Sequence, residues 1–317
     1  MSRVVVAGGA GFLGSHLCDR LIGRGDHVVC MDDLSTGSKE NVEHLLDHER
    51  FSLIVTNVIE KVELGDEERV DAVCNLASPA SPPAYLERPF DTLAVGSEGT
   101  RRLLELARVH GARFLMASTS EVYGDPEVHP QVESYRGNVD PTGPRSVYDE
   151  AKRFAESLTM AMHRTYGVNV AIARIFNTYG PRLSPGDGRV VSNFIVQALR
   201  GEALTVYGDG SQTRSLCFVD DEISGLLALL DSSLTGPVNI GNPDERSMLD
   251  LAHFVLEVTG SASGITFEPL PKDDPTRRCP DITLARTELG WEPTTGLREG
   301  IERTIEYFAG KVKQEVP

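Results

Sequence analysis

The sequence has few of the features that mark disulfide-bonded, zinc-binding or membrane-spanning proteins. Its five cysteines are odd in number and scattered, and no CxxC pair occurs. They are Cys18, Cys30, Cys74, Cys217 and Cys279. This pattern predicts neither a disulfide framework nor a metal site, and it favours a reducing cytoplasm. The early apolar stretch from Val4 to Gly14 is too short to cross a bilayer and lacks the basic lead of a signal peptide.

Basic residues are scarce relative to acidic ones. Lys and Arg total 31 against 47 Asp and Glu, so the 317 residues carry a formal net charge of −16. Such a charge argues against nucleic acid or an anionic membrane as the main partner. A small anionic ligand is still allowed, because a local basic site can occur on an acidic protein. The length suits one large α/β unit or two closely packed domains.

The chain does contain a glycine-rich turn near its start. Val4–Ala7 is a β-branched run typical of a buried strand, glycines at 8, 9, 11 and 14 follow, and a helical pattern comes next. A second strand, His27–Met31, ends at Asp32. In such a βαβ unit the glycines let the backbone approach a pyrophosphate at the helix N-terminus. Asp32 is expected to accept hydrogen bonds from the adenosine ribose, which selects NAD over NADP.

Strand and helix patterns alternate through the first half of the chain. Further strands are predicted at Phe51–Val55, Ala72–Leu76, Arg113–Ala117 and Val168–Arg174. Helices are predicted at Thr92–Val109 and Tyr148–Tyr166. The alternation predicts an α/β fold with a Rossmann-type doubly wound parallel sheet, covered by helices on both faces.

The sequence changes character after residue 176. Residues 177–188 are rich in Gly, Pro, Asn and Asp and are predicted to form a loop. Helical patterns follow at Val191–Leu199, Met248–Thr259 and Leu297–Phe308. We therefore predict an NAD-binding domain over residues 1–176, joined by parts of 215–245. A smaller C-terminal α/β lobe, mainly residues 177–317, is expected to bind the substrate, with the site between the two.

Two polar motifs point to proton and hydride transfer. The string STSE (118–121) follows a predicted strand, and strand C-terminal ends face the ligand crevice in such sheets. In YDEAK (148–152), Tyr148 and Lys152 are four residues apart and share one helix face. The cation is expected to lower the tyrosine pKa from about 10. The phenolate could then accept a hydroxyl proton while hydride passes to a nicotinamide.

Together these strings resemble a known family. The glycine turn, STSEVYG (118–124), YDEAK (148–152) and RIFN (174–177) resemble the extended short-chain dehydrogenase/reductase family, NAD-dependent epimerase/dehydratase type, which modifies nucleotide sugars. LASPASPPAYLERP (76–89), LTVYGDGSQTR (204–214), NIGNP (239–243) and LGWEP (289–293) resemble its members that decarboxylate UDP-glucuronate. The resemblance spans nearly the whole chain. It implies oxidation at C4, loss of carbon dioxide from the resulting β-keto acid, and return of the hydride to give UDP-xylose.

The resemblance also implies a set of site residues. The catalytic positions are Tyr148, Lys152, Thr119, Ser120, Glu121 and Arg278. The cofactor-binding positions are Gly8, Gly11, Phe12, Leu13, Gly14, Asp32, Asp33, Ser35, Thr36, Gly37, Asn57, Val58, Leu76, Ala77 and Ser78, together with Tyr148 and Lys152. The substrate-binding positions are Tyr85, Asn177, Arg189, Val190, Tyr207, Gln212, Arg214 and Arg278.

Roles follow for the catalytic positions from the same resemblance. Tyr148 would take and return the C4 hydroxyl proton, Lys152 would lower its pKa and hold the nicotinamide ribose, and Thr119 would bind the C4 oxygen. Ser120 stands where related 4,6-dehydratases carry an acidic aspartate, and it can instead bind the substrate carboxylate. Glu121 would assist decarboxylation, while Arg278 handles the carboxylate or C5 protonation. The division of labour between these last two stays open.

Two positions depart from the family pattern. Asn57 stands where an aspartate usually contacts adenine, but an amide can both donate and accept, so adenine binding can survive. Cys279 stands where a lysine-like residue is expected before Pro280, which reduces the positive charge near the carboxylate. Neither departure removes a catalytic group.

Other functions remain as alternatives. The first is a sister enzyme, either a nucleotide-sugar 4-epimerase or a 4,6-dehydratase, and the second is a non-catalytic NAD-binding scaffold. Ser120 counts against the dehydratase, Arg278 against a simple epimerase, and the intact Tyr148–Lys152 pair against the scaffold. The sequence does not decide between UDP and dTDP. The helices Thr92–Val109 and Tyr148–Tyr166 resemble a pair that forms a four-helix dimer interface, so a homodimer is expected.

Overall fold

The chain folds into alternating strands and helices, which a computed structural model describes for residues 1–60, 64, 69–270 and 275–314. Its strands are β1 (Arg3–Ala7), β2 (His27–Asp32), β3 (Phe51–Val55), β4 (Ala72–Asn75), β5 (Arg113–Thr119), β6 (Val170–Ile175), β7 (Thr178–Tyr179), β8 (Leu204–Tyr207), β9 (Thr213–Ser215), β10 (Cys217–Phe218), β11 (Val238–Ile240), β12 (Glu245–Ser247), β13 (Ile265–Glu268) and β14 (Arg277–Arg278). Its α-helices are α1 (Phe12–Gly23), α2 (Pro82–Glu87), α3 (Pro89–Ala94), α4 (Thr100–His110), α5 (Ser146–Tyr166), α6 (Val190–Arg200), α7 (Val219–Asp231), α8 (Met248–Thr259), α9 (Thr283–Leu289) and α10 (Leu297–Gln314).

The central element is a seven-stranded parallel sheet in the order β11-β6-β5-β4-β1-β2-β3. Strand order reverses beside β1, which is the topological switch point where doubly wound sheets bind nucleotides. The predicted Rossmann-type parallel sheet is therefore confirmed. β11, from the segment 215–245, pairs with β6 and extends the sheet.

Both faces of the sheet are buried, as the β-branched strand sequences require. Alternate residues of β1 point to opposite faces. Val4 and Val6 pack into a core with α1 and α7, whereas Val5 and Ala7 pack into a second core with α4 and α5. The two layers fix the sheet rigidly, so the carboxyl ends of its strands form a defined edge for a site.

Two segments differ from the sequence-based prediction. The helix predicted over Thr92–Val109 begins earlier, at Pro89, and a π-helical segment at Val95–Gly99 separates α3 from α4. Proline fits the first helical turn because its missing N–H is not needed there. The loop predicted over 177–188 contains β7, which pairs with β10.

The C-terminal part carries smaller sheets. One joins β12, β9 and β14, and it places Arg278 beside Arg214 as register partners. A second pairs β13 with β8, and α6, α8 and α10 pack around them. The domain boundary near residue 177 stays a prediction. In the described part of the chain, no helix has the length and apolar character that crossing a membrane requires.

Candidate active site

A glycine turn joins β1 to α1 and brings the two elements into close contact. Gly8 has a φ of +77°, and its N–H donates to Met31 O at 2.8 Å. A Cβ on Gly14 would lie only 2.0 Å from Gly8 O, so no larger residue fits there. Gly11 caps α1 without a side-chain hydrogen bond. The free N–H groups of the first helical turn can therefore receive an anion.

Most of the predicted cofactor positions line one pocket above this turn, here called the glycine pocket. The predicted members are Gly8, Gly11, Asp32, Asp33, Ser35, Thr36, Gly37, Asn57, Val58, Leu76, Ala77 and Ser78. The lining also includes five residues that sequence reasoning missed, namely Met31, Thr56, Pro79, Asp91 and Val95. Phe12 and Leu13 begin α1 and pack partly into the core instead. Met31, Thr56 and Pro79 each adjoin a predicted position, which was the available signal for them. Asp91 and Val95 adjoin no predicted position.

Asp32 and Asp33 at the end of β2 make different contacts. Asp32 accepts from the N–H groups of Ala10 and Leu34, both at 2.9 Å, so it ties the glycine turn to β2. Burial raises the pKa of Asp32, while these N–H groups oppose the shift. Asp33 accepts from Ser35 N–H at 2.9 Å and from the Asn57 amide at 3.1 Å. Asn57, which replaces the family's usual aspartate, is therefore held by the Asp33 side chain of the same pocket.

The Tyr148–Lys152 pair lies where β5 ends. Both residues are on α5 and are less than a tenth exposed. The Thr119 hydroxyl, at the extended end of β5, lies near enough to the Tyr148 hydroxyl to lower the pKa of that phenol. Lys152 donates to Ala117 O at 2.9 Å, and its Nζ lies 5.8 Å from the centroid of the Tyr148 ring. The structure thus brings the predicted acid–base residues together.

The titration of this pair differs from the simple expectation. Burial raises the pKa of Tyr148 to about 12, and the opposing influences are the Thr119 hydrogen bond and the Arg189 charge. Burial also lowers the pKa of Lys152 to about 8. The predicted lowering of the Tyr148 pKa by Lys152 is therefore wrong, because in the folded chain burial raises that pKa instead. Desolvation dominates both shifts because both groups lie away from water.

The ring of Tyr85 stacks on the ring of Tyr148. The two rings stack with centroids 5.1 Å apart and planes 9° apart. Tyr85 is buried, and its hydroxyl has no hydrogen-bond partner among the described residues. A buried hydroxyl of this kind is suited to a ligand hydroxyl or carboxylate. This fits the sugar-pocket role that the sequence predicted for Tyr85.

A group of charged side chains lies beside Tyr148, here called the arginine cluster: Glu121, Arg145, Asp149 and Arg278. Glu121 Oε2 lies 2.6 Å from Arg145 Nη2 and 3.1 Å from Arg278 Nη2. Burial opposes ionisation, but the two arginines bring the pKa of Glu121 down to about 2. Glu121 is thus a permanent carboxylate between two guanidinium groups.

Arg278 is the most deeply placed member of the cluster. It is 1% exposed, and its Nη1 donates to Ser120 O at 3.0 Å and to Gly124 O at 2.8 Å. These bonds hold the guanidinium against the loop that follows β5. Arg278 is therefore a buried residue and not a surface charge.

Sequence reasoning missed Arg145 and Asp149. They stand one turn apart around the start of α5, and Asp149 is 6% exposed. Burial, followed by the Glu121 charge, raises the pKa of Asp149 to about 7. Arg145 lies just before the helix and outside the predicted span Tyr148–Tyr166, so its spacing from Asp149 was a weak signal.

A polar network stabilises residues 118–123, at and after the end of β5. Arg174 pairs with Glu156 at 2.8 Å and donates to the Tyr123 hydroxyl at 3.0 Å. Ser118 donates to Glu156 at 2.6 Å, and the Tyr123 hydroxyl donates to Asn239 at 2.7 Å. Residues from RIFN and NIGNP thereby hold residues 118–123 in place.

The remaining predicted substrate positions lie on the C-terminal part. Arg189 precedes α6 and pairs with Asp187 at 2.6 Å. Its positive charge is close enough to lower the pKa of Tyr148. Val190 begins α6. Gln212 donates to Tyr207 O at 2.7 Å. Arg214 lies beside Arg278, and its charge helps to lower the pKa of Glu121. Asn177 lies between β6 and β7, and its carbonyl accepts from Cys217 N–H at 2.9 Å.

Comparison with known proteins gives consistent matches. Residues 4–241 match the NAD dependent epimerase/dehydratase family. UDP-glucuronic acid decarboxylase 1 of Danio rerio is 51% identical over 313 residues, covering 99% of this chain and 74% of that protein. UDP-glucuronic acid decarboxylase 4 of Arabidopsis thaliana is 54% identical over 310 residues, covering 98% of this chain and 69% of that protein. The dTDP-glucose 4,6-dehydratase DesIV of Streptomyces venezuelae, determined with NAD bound, aligns with a TM-score of 0.89 at 28% identity, covering 99% of each chain.

Proposed function

The chain belongs to the NAD dependent epimerase/dehydratase family, and on that basis we propose that it converts UDP-glucuronate to UDP-xylose with NAD as its cofactor. Relatives named UDP-glucuronic acid decarboxylase match nearly its whole length at about half identity or more. The observation that carries the proposal is the buried Arg278 beside the Tyr148–Thr119 pair. Hydride transfer by itself does not require a buried arginine at this place. A buried guanidinium here is explained if the substrate brings an anionic group to it.

The glycine pocket fits a dinucleotide. Its turn excludes a Cβ at Gly14, and the uncapped start of α1 presents N–H groups for a pyrophosphate. Asp33 and Asn57 lie at the edge of the same pocket and can bind the adenosine. NAD supplies a hydride acceptor for C4 of the sugar and a donor after decarboxylation, and the positive charge of its oxidised ring favours the Tyr148 phenolate.

Tyr148 handles the proton of the C4 hydroxyl. As the C4 hydride leaves, the phenolate accepts the hydroxyl proton, while Thr119 holds both oxygens in place through its hydroxyl. When the hydride returns to C4, Tyr148 gives the proton back to the C4 oxygen. Lys152 fixes the position of α5 against β5 through its bond to Ala117 O and is available to the nicotinamide ribose. The phenol thus ends each cycle in its starting state.

The arginine cluster acts on the carboxylate. Once C4 is a ketone, the C5–C6 bond breaks, its electron pair moves toward the C4 carbonyl to form an enolate, and carbon dioxide leaves. A proton from solvent then adds at C5, which turns the enolate back into the C4 ketone that the returning hydride reduces. Arg278 binds the substrate carboxylate, and Glu121 orients Arg278 and Arg145 rather than transferring a proton, since its pKa of about 2 keeps it ionised. Ser120 lies in the same loop and is available to the carboxylate.

The substrate is tested directly by product analysis. The NAD-loaded protein is incubated separately with UDP-glucuronate, dTDP-glucose and UDP-glucose, and the products are identified by mass spectrometry. We expect carbon dioxide and UDP-xylose from the first and no net change in the others. UDP-galacturonate without carbon dioxide, or a dehydrated keto sugar from dTDP-glucose, would replace this function with an epimerase or a dehydratase.

We also propose a homodimer in the cytoplasm. Phe90 on α3 is 83% exposed and Phe154 on α5 is 52% exposed, with Leu93 41% exposed nearby. These apolar side chains favour a shared interface formed by α3, α4 and α5. A Phe90→Glu variant should then sediment as a monomer, whereas a monomeric unaltered protein would contradict the proposal. All five cysteines are buried and free, which fits a reducing compartment.

A further inference from the structure

Asp149 is a buried carboxyl group that has no role in the proposed decarboxylation. It follows Tyr148 directly on α5 and is 6% exposed. Its Oδ1 is fully buried and has no hydrogen-bond partner in the described ranges. A buried carboxylate without a partner is costly, so the neutral acid is the favoured form at this place. The position is therefore unusual for a residue with only a structural role.

The charges of the arginine cluster depend on this group. Arg145 and Arg278 bring two positive charges, and Glu121 cancels one of them. With Asp149 neutral, one positive charge remains among these four side chains. With Asp149 ionised, the four side chains are neutral as a set. A ligand carboxylate placed against Arg278 would distinguish these two states strongly, because the site excludes most water.

Accordingly, we propose that Asp149 sets the affinity of the site for the acidic substrate, binding UDP-glucuronate tightly when neutral and weakly when ionised. The inference rests on the proposed function, because it takes the substrate carboxylate to lie at Arg278. Asp149 acts through the arginine cluster, so it is a positioning and specificity residue rather than a catalytic one. The decarboxylated product lacks the carboxylate and is indifferent to the same charge.

The groups around Asp149 bring the ionisation of its carboxyl group near neutral pH. The facing groups are Glu121 after β5, Arg278 on β14 and Tyr85 on α2, and its own segment adds Arg145 and Glu150. Burial and then Glu121 raise the pKa of Asp149, the two arginines lower it, and the result is about 7. Glu121, with a pKa of about 2, does not change charge in this range.

The consequence is a pH-dependent choice between substrate and product. As pH rises through the pKa of Asp149, the cluster loses its excess positive charge, so UDP-glucuronate binds less tightly while UDP-xylose binds as before. The ratio of their dissociation constants isolates this effect. Both ligands carry the same UDP group, so titration of the diphosphate or the uracil cancels in the ratio.

The test uses calorimetric binding to the NAD-loaded full chain with Tyr148→Phe, which prevents turnover. We expect the ratio of the dissociation constants, UDP-glucuronate over UDP-xylose, to rise roughly tenfold between pH 6 and pH 8.5. Adding Asp149→Asn, which mimics the neutral acid, should hold the ratio at its low-pH value throughout. Adding Glu150→Gln removes a neighbouring carboxylate of the same helix and should leave the rise intact.

Each result has a distinct meaning. A flat ratio in the protein that retains Asp149, or an unchanged rise with Asp149→Asn, overturns the inference, and the first readout does not depend on the folding of any Asp149 variant. In the active enzyme, Asp149→Asn should make KM for UDP-glucuronate independent of pH over the same range. If UDP-glucuronate fails to bind or yields no carbon dioxide at any pH, the proposed function itself fails.

Discussion

The glycine pocket and the arginine cluster are built in different ways. The glycine pocket depends on backbone geometry within a few short segments, above all the turn from Gly8 to Gly14. The arginine cluster combines charged side chains from three distant segments, which β5, α5 and β14 bring together. The turn in the first region therefore has no room for a side chain at Gly14, and the ligand affinity of the second region depends on its charge. Substitutions in each region can separate the steric constraint from the electrostatic one.

The largest expected effect comes from the residue between the two regions. Tyr148→Phe removes the proton acceptor for the C4 hydroxyl, so turnover should fall by about 10³–10⁴-fold, near the upper range for one acid–base group. NAD affinity, measured by calorimetry, should change little because the glycine pocket is untouched. Undiminished turnover would show that another group handles the proton.

Gly14→Ala should break the glycine pocket. The added Cβ would lie 2.0 Å from Gly8 O, a backbone atom that cannot move without distorting the turn. NAD affinity should fall by roughly 100-fold, with a lower Tm. Gly23→Ala, in the same helix, meets nothing within 4 Å and serves as the control. Equal NAD affinities for the two variants would mean that the close approach of turn and helix does not shape the pocket.

Glu121→Gln should disturb the arginine cluster without touching the pocket. Two buried guanidinium groups lose their shared anion, so Arg278 is held less firmly. We expect release of carbon dioxide to slow by roughly 10–100-fold without a higher KM, because the unmatched positive charge still attracts the substrate. Glu105→Gln, which removes an exposed pair with Arg108, is the control. Unchanged release of carbon dioxide would remove Glu121 from the site.

Asn57→Asp introduces a charge effect into the glycine pocket. It would place a second carboxylate where the Asn57 amide now donates to Asp33 at 3.1 Å. The two negative charges should lower NAD affinity by roughly 3–10-fold at pH 8 and less at pH 5. The exchange Asp33→Asn with Asn57→Asp restores one amide and one carboxylate and should recover the affinity. Failure of the exchange to recover it would show that the two residues bind NAD independently.

The smallest effect concerns stability and pH. The pKa of Asp149 is raised in the folded chain to about 7, so the folded state holds a proton that the unfolded chain releases near pH 4. Stability from this group is full at low pH and is lost as pH rises toward 7. Asp149→Asn lacks this loss, so its Tm relative to the unaltered protein should rise by roughly 2–4 °C between pH 5 and pH 8. A constant Tm difference would place Asp149 outside the buried network.

The comparison also explains what could be predicted. Gly8, Gly14 and Asp32 act within one βαβ unit, so their spacing in sequence carries the geometry of the glycine pocket. Tyr148 and Lys152 share a helix face for the same local reason. Their pKa values could not be predicted, because both depend mainly on burial by residues far along the chain.

The arginine cluster required the tertiary structure. In the sequence Arg145 lies before the predicted helix and Asp149 looks like an ordinary helix residue, and Arg278 lies more than a hundred residues beyond them. The parallel sheet and the β9–β14 pairing decide that these side chains meet in a largely buried place. By itself, the sequence determined the fold class, the cofactor turn and the acid–base pair, since each follows from local spacing. The tertiary structure alone decided which charges face one another, because burial and Coulomb energy depend on distances that the chain sets only when folded.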